Sequence, residues 1–238
     1  MKRLRRIVVG IASLGVAVAV AWAYQSGNVA NGGKITGSVI YKGKAPEPKP
    51  LEVTKDTAVC GKEKHFDESL LVGPGGGLQN AVVSLVGISQ GKAFSPEKRV
   101  LRQKGCRYIP HVFLVPAGVE FDITNEDGVL HNIHTYSKKN PPVNRAQPKF
   151  KKVIQEKFTE PEIFEVRCDA HGWMGAWIVV QDHPYYAVTG PDGKFELADV
   201  PPGEYEIRVW HEKLGEQTQK VTVPAGGEAS VQFSFAAG

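Results

Sequence analysis

The chain has 238 residues, with 29 Lys and Arg against 25 Asp and Glu, for a formal net charge of +4. Lys2, Arg3, Arg5 and Arg6 account for that excess, so the remainder is formally neutral and lacks the basic surface that nucleic-acid binding needs. A chain of this length supports one large or two small domains with real cores.

MKRLRR leads into an apolar run from Ile7 to Ala23 that ends in Ala21-Trp22-Ala23. A basic start, an apolar stretch and a small-x-small end describe an export signal over residues 1–23. At 17 residues the run is long for a signal and short for a span, so cleavage and retention as an anchor both stay open. Either outcome places the protein in the periplasm or another extracytoplasmic space, with membrane contact only through an uncleaved anchor. Such a space permits disulfides, yet three cysteines cannot all pair.

After a short linker (QSGNVANGG, 25–33) the pattern is that of strands. ITGSVIY (35–41), NAVVSLV (80–86), HVFLV (111–115), VEFDIT (119–124), LHNIHTY (130–136), EIFEVRC (162–168) and GAWIVVQ (175–181) are short and rich in β-branched and aromatic residues. Gly, Pro, Asn or Asp bound most of them. Lys42–Lys55, with three prolines, reads as a loop or edge crossing. KKNPPVNRAQPK (138–149) reads as a long polar connection. No segment of ten residues has helical periodicity.

A second unit starts near Asp182-His183-Pro184. Tyr205, Ile207 and Val209 alternate with Glu204, Glu206 and Arg208, and Val231, Phe233 and Phe235 alternate with polar neighbours. Period-2 alternation means one wet face and one buried face. The expected organisation is a first domain over 34–182 and a smaller one over 184–238, both all-β sandwiches.

The chemistry concentrates in EVRCDAHGWMGAW (165–177). Cys168, His171 and Met174 are each two residues from the next, which offers one thiolate, one imidazole and one thioether. A blue-copper site takes two imidazoles and a thiolate in a plane, with a weak axial thioether. NEDGVLHNIH (125–134) offers His131 and His134, which point to opposite strand faces, so only one of them can reach the ion. Reserving Cys168 for metal leaves Cys60 and Cys106 to form a disulfide.

VLHNIH, FEVRCDAHGWM and AWIVV together resemble the cupredoxins, and among them the amicyanins, over about Arg107 to Gln181. The resemblance implies a Greek-key sandwich holding one type 1 (blue) copper on His131, Cys168, His171 and Met174, with His134 a non-ligand. It gives Asn132 the task of tying the His131 loop to the Cys168 loop by hydrogen bonding. Asp169 stands where the family has Ser or Thr, which alters that tie. It also implies single-electron transport without enzymatic turnover, in exchange with a c-type cytochrome or a dehydrogenase. His171 would be the most exposed ligand and, with Trp173, the electron exit. A purple binuclear site is disfavoured, because it needs two cysteines in the ligand loop. DGKFELADVPPGEYEIRV (192–209) resembles carboxypeptidase regulatory-like domains, a signature of fold that is silent about activity.

Other readings compete. Cys168 alone could be an inert core thiol, or with His171 a nucleophile–base pair, although no orienting motif accompanies it. Zinc would leave Met174 unused. The same ligands would serve a copper sensor or delivery protein, and both sandwiches could be scaffolds for carbohydrate or protein binding. His65, His111, His183 and His211 lack ligand spacing and read as strand-end or surface residues, with His111 the best candidate for supporting the site from behind.

Overall fold

The computed structural model describes residues 24–236, and the leader expected over 1–23 lies outside them. The described chain is almost entirely strand, with one helical turn at Thr57–Cys60 and a 3-10 turn at Pro74–Gly76. The strands form two stacked-sheet units.

In the first unit a five-stranded sheet runs in the order Asn144–Gln147, His131–Thr135, Glu162–Arg167, Gly175–Gln181, Val112–Pro116. A four-stranded sheet runs in the order Val153–Glu156, Phe121–Asn125, Val100–Gln103, Tyr108–Ile109. The alternate side chains Phe121 and Ile123, and Phe164 and Val166, turn inward and pack with Leu101, Ile133 and Ile178 in one core. Phe113, Phe121, Phe158 and Phe164 form a chain of ring contacts through it, with centroids 5.0–5.9 Å apart. The stretch read as a polar connection contains the edge strand Asn144–Gln147, which carries three exposed residues and one buried one. It has too little apolar alternation to declare itself.

The second unit corrects the expected domain boundary. Its sheets are ordered Tyr186–Val188, Val82–Val86, Gly203–His211, Gly215–Val223 and Lys194–Val200, Gly33–Lys42, Glu228–Ala236. Gly33–Lys42 and Val82–Val86, assigned from sequence to the first domain, are central strands here. Gly33–Lys42 pairs in parallel with Glu228–Ala236 over nine residue pairs, and Ile35, Val39, Val83 and Leu85 pack with Ile207, Val209 and Phe233. The physical reason is size: some 55 residues from Pro184 onward cannot bury a two-sheet core without borrowing strands. Gly37 permits the close approach, since a Cβ there would lie 2.1 Å from the Val231 carbonyl oxygen and 2.5 Å from the Phe195 ring.

The units meet across Val82, Val112 and Val179, flanked by Leu114, Ile163 and Tyr186. Trp177 of the first unit meets Trp210 of the second edge-on, with centroids 4.9 Å apart. His111 reaches Glu212 across the same seam at 2.5 Å. His111 therefore serves the junction between units instead of the candidate site. Residues 50–69 leave the second unit, pair as Pro50–Leu51 with His65–Phe66, and lie as a strap over the end of the first unit that carries His171.

Candidate metal centre

Two tight loops and the strap build the site. Asn125 folds the first loop by an Asx turn, its side-chain oxygen accepting from the Asp127 N–H at 3.1 Å. Its amide nitrogen donates to the carbonyls of Val129 and Gln147, both at 2.9 Å. This sets His131 at the start of its strand. The second loop closes on itself: the Cys168 N–H donates to the Met174 carbonyl at 3.2 Å and the Met174 N–H to the His171 carbonyl at 2.9 Å. Asn132 ties the loops together by accepting from the Asp169 N–H and donating to the Asn144 side chain at 2.8 Å. Asp169 also takes hydrogen bonds from Asn132 and Asn144.

Three donors converge. His131 Nδ1 and His171 Nδ1 face each other at 3.0 Å, and Cys168 Sγ lies 3.8 Å from His171 Nδ1. The ligand atoms of His131, Cys168 and His171 all lie within 4.8 Å of one another, and all three residues are buried. Met174 is buried in the same core cluster. His134 points outward, with its Nδ1 3.0 Å from Asp169 and its ring stacked on Tyr136.

The outer nitrogens explain why the inner ones are free. His131 Nε2 meets Asp127 at 2.8 Å, and Asp127 itself accepts from the Gly105 and Cys106 N–H groups, each at 2.9 Å. His171 Nε2 meets Asp56 of the strap at 2.9 Å. A carboxylate on the far nitrogen fixes the tautomer and aims the other lone pair inward, the arrangement found behind metal-bound histidines. Ligand atoms about 2.0–2.3 Å from a shared ion stand roughly 3.5 Å apart, close to the spacings seen. The residues present therefore fit a soft metal ion.

The same contacts set the electrostatics. Burial raises the Cys168 thiol, but His131 and the N–H groups of Asn132, His171 and Ala170 outweigh it and leave the pKa lowered, toward thiolate. Burial lowers His131, but Asp127 and Cys168 outweigh it and leave its pKa raised. His171 is lowered, chiefly by burial, with Asp56 opposing and His131 adding to the effect. Cys106, Asp127 and His131 also approach one another, but the Cys106 sulfur is bonded to Cys60 and is no thiolate.

The strap overturns one expectation. His171 is not the exposed ligand: it is 0% accessible. Asp56 and the helical turn Thr57–Cys60 cover it, with Cys60 Sγ 3.8 Å from His171 Nε2. The Cys60–Cys106 disulfide holds this cover down, and His65 Nε2 donates to the Cys60 carbonyl at 2.8 Å. Trp173 packs on the His171 ring with centroids 5.0 Å apart and donates to the Cys106 carbonyl. Trp173 is partly exposed, and with Gly172 it lines a cleft of about 360 Å³ between the strap and the second unit.

Sequence reasoning missed Asp56 and Asp127. Asp127 had a signal, since it sits in a turn four residues before His131. Asp56 had none, because 115 residues separate it from His171.

Residues 171–236 match the family model of the carboxypeptidase regulatory-like domain, which covers less than half of the chain. No curated protein matches the chain. Among solved structures, a copper-containing nitrite reductase from Thermus scotoductus SA-01 is similar at 22% identity and a TM-score of 0.33, over 38% of this chain and 24% of that one. A purple cupredoxin from Nitrosopumilus maritimus is similar at 19% identity and a TM-score of 0.31, over 35% of this chain and all of that one. Amicyanin from Paracoccus versutus is similar at 16% identity and a TM-score of 0.32, over 37% of this chain and 84% of that one. This chain thus spans about a quarter of the nitrite reductase. Likeness at this level assigns no activity.

Proposed function

We propose that this protein binds one copper ion, which His131, Cys168, His171 and Met174 would hold, and carries single electrons outside the cytoplasm. The observation that carries this reading is the convergence of two Nδ1 atoms and one thiol, buried together, with both Nε2 atoms held by carboxylates. Copper supplies a one-electron couple whose visible colour comes from thiolate charge transfer. The chain's residues do the rest. Asp127 and Asp56 orient the imidazoles, the Asn132 N–H donates to Cys168 Sγ at 3.4 Å, and the packed core keeps water from the donors. A fixed, dry ligand set moves little between oxidation states and suits repeated electron exchange.

The cover over His171 favours a carrier over a delivery protein, because handing the ion on requires ligand exchange. The Cys60–Cys106 disulfide supports an extracytoplasmic place, where such bonds persist. The test is to add Cu(II) to the exported, metal-free protein. The expected result is one ion per chain and an intense visible band that bleaches on reduction. A colourless protein that takes up no copper overturns the reading.

A further inference from the structure

With His171 covered, a partner must approach the ligand end elsewhere, and one exposed feature stands there. Phe150 is 81% accessible, the most exposed large apolar side chain among the described residues. Single exposed apolar residues are ordinary, but this one sits at the tip of a braced turn. The Lys151 N–H closes that turn on the Pro148 carbonyl at 2.8 Å. Lys149, Lys151 and Lys152 flank Phe150 along the chain, all exposed; Lys152 Nζ reaches the Asp127 carbonyl at 3.5 Å, and none has a salt-bridge partner among the described residues.

The neighbouring acids are already engaged. Glu126 is forked onto Arg102 at 2.6 Å, Glu156 is paired with Arg145, and Asp127 turns inward to His131. The turn is therefore a local cationic patch on a formally neutral body, with an aromatic at its centre. Leu130 and Val153, 44% and 46% exposed, lie on the adjoining strand ends.

The patch is joined to the candidate site by the sheet. Gln147, the residue before the turn, is the register partner of His131. On the other side, the Lys152 carbonyl accepts from the Asn125 N–H at 2.9 Å, in the loop that carries Asp127. The turn is thus one strand pair away from a ligand histidine.

We propose that the Pro148–Lys152 turn is the docking surface for a redox protein with an acidic face around an apolar hollow. This rests on the copper-carrier reading for the partner's redox character, and on charge and exposure for its shape. Phe150 enters the hollow, and the three lysines steer the encounter and fix its orientation.

The probe is an acidic c-type cytochrome, used with the full exported chain at low ionic strength. Electron transfer from the copper-loaded protein should slow as salt rises. Lys149→Glu with Lys151→Glu and Lys152→Glu should lower the association rate about tenfold or more and flatten the salt dependence. Phe150→Ala should weaken binding several-fold while the visible spectrum stays unchanged. The metal-free protein titrated with the same cytochrome should show amide shifts at 148–153 and 128–130. Shifts centred on 172–175, no binding, unaltered rates in the charge-reversed variant, or binding to anionic phospholipid vesicles in place of the cytochrome would each overturn the proposal. Because the shifts are read without metal, docking at this face by a protein that takes up no copper breaks the copper reading and leaves the surface standing.

Discussion

Apart from His65 in the strap, each unit of the molecule buries two histidines, and the pairs are equally inaccessible: His131 and His171 in the first, His183 and His211 in the second. What differs is which nitrogen is left over. His183 donates from Nε2 to the Leu85 carbonyl at 3.0 Å and accepts at Nδ1 from the Tyr185 N–H at 3.2 Å, so its backbone neighbours use both nitrogens. His211 accepts from the Lys213 N–H at Nδ1. His131 and His171 each spend Nε2 on a carboxylate and turn Nδ1 toward a thiol. Burial alone therefore says little about a histidine. The unspent lone pair, and what it faces, separates a candidate ligand from a strut.

The sharpest way to break this comparison is to remove one member of each kind. Cys168→Ser or His131→Ala should abolish the visible band and one-to-one copper uptake, because neither a hydroxyl nor a methyl replaces the donor. His183→Ala should keep both and show its loss only in stability, on the order of 1–3 kcal/mol for unpaired buried groups. His134→Ala should change neither. Copper titration followed by absorption decides, and loss of copper from a folded His183→Ala protein would end the distinction.

The same contrast explains what could be read from the chain. Cys168, His171 and Met174 are legible because one loop carries all three, and period-2 geometry separates His131 from His134. The strands of the second unit are legible from alternation, but their partners are not. Gly33–Lys42 lies almost 200 residues from the strand it pairs with, and nothing local announces a parallel pairing. The strap is hidden for a similar reason: Asp56 and Cys60 belong to a proline-bounded, irregular stretch, and only folding lays them on His171. The expected exposure of His171 failed because a loop rule cannot see a cover supplied from so far upstream.

Releasing that cover should have the next largest effect. Replacing Cys60 and Cys106 by Ser together removes a cross-link between positions 46 residues apart. On the chain-entropy account this costs about 4 kcal/mol, read as a lowered denaturation midpoint. The variant should also expose the site. In metal-free protein, iodoacetamide should alkylate Cys168 about tenfold faster or more once the strap is free, whereas His183 and His211 keep their protection. Unchanged alkylation would show that Trp173 and the Pro50–Phe66 pairing hold the cover without the disulfide.

The smallest expected effect lies at the seam between the units, where a histidine does neither job. His111 and Glu212 are each 11% exposed and meet at 2.5 Å, and Glu68 stands 3.9 Å from the other ring nitrogen. Burial lowers the His111 pKa, but Glu212 and then Glu68 outweigh it and leave it raised. A raised folded-state pKa means that the folded protein holds the proton more tightly than the unfolded chain. That contribution is fully present below the ordinary histidine value of about 6.5 and fades as pH climbs through the raised one. Glu212→Gln should therefore cost on the order of 1–2 kcal/mol near pH 6, since it weakens a charged hydrogen bond that Glu68 partly backs up. The gap between variant and parent should narrow as pH rises above the folded-state value, in denaturant melts that follow Trp177 and Trp210 fluorescence. A small gap that stays level across the same pH range would mean that His111 is neutral in the folded protein, and that the seam is held by its apolar contacts alone.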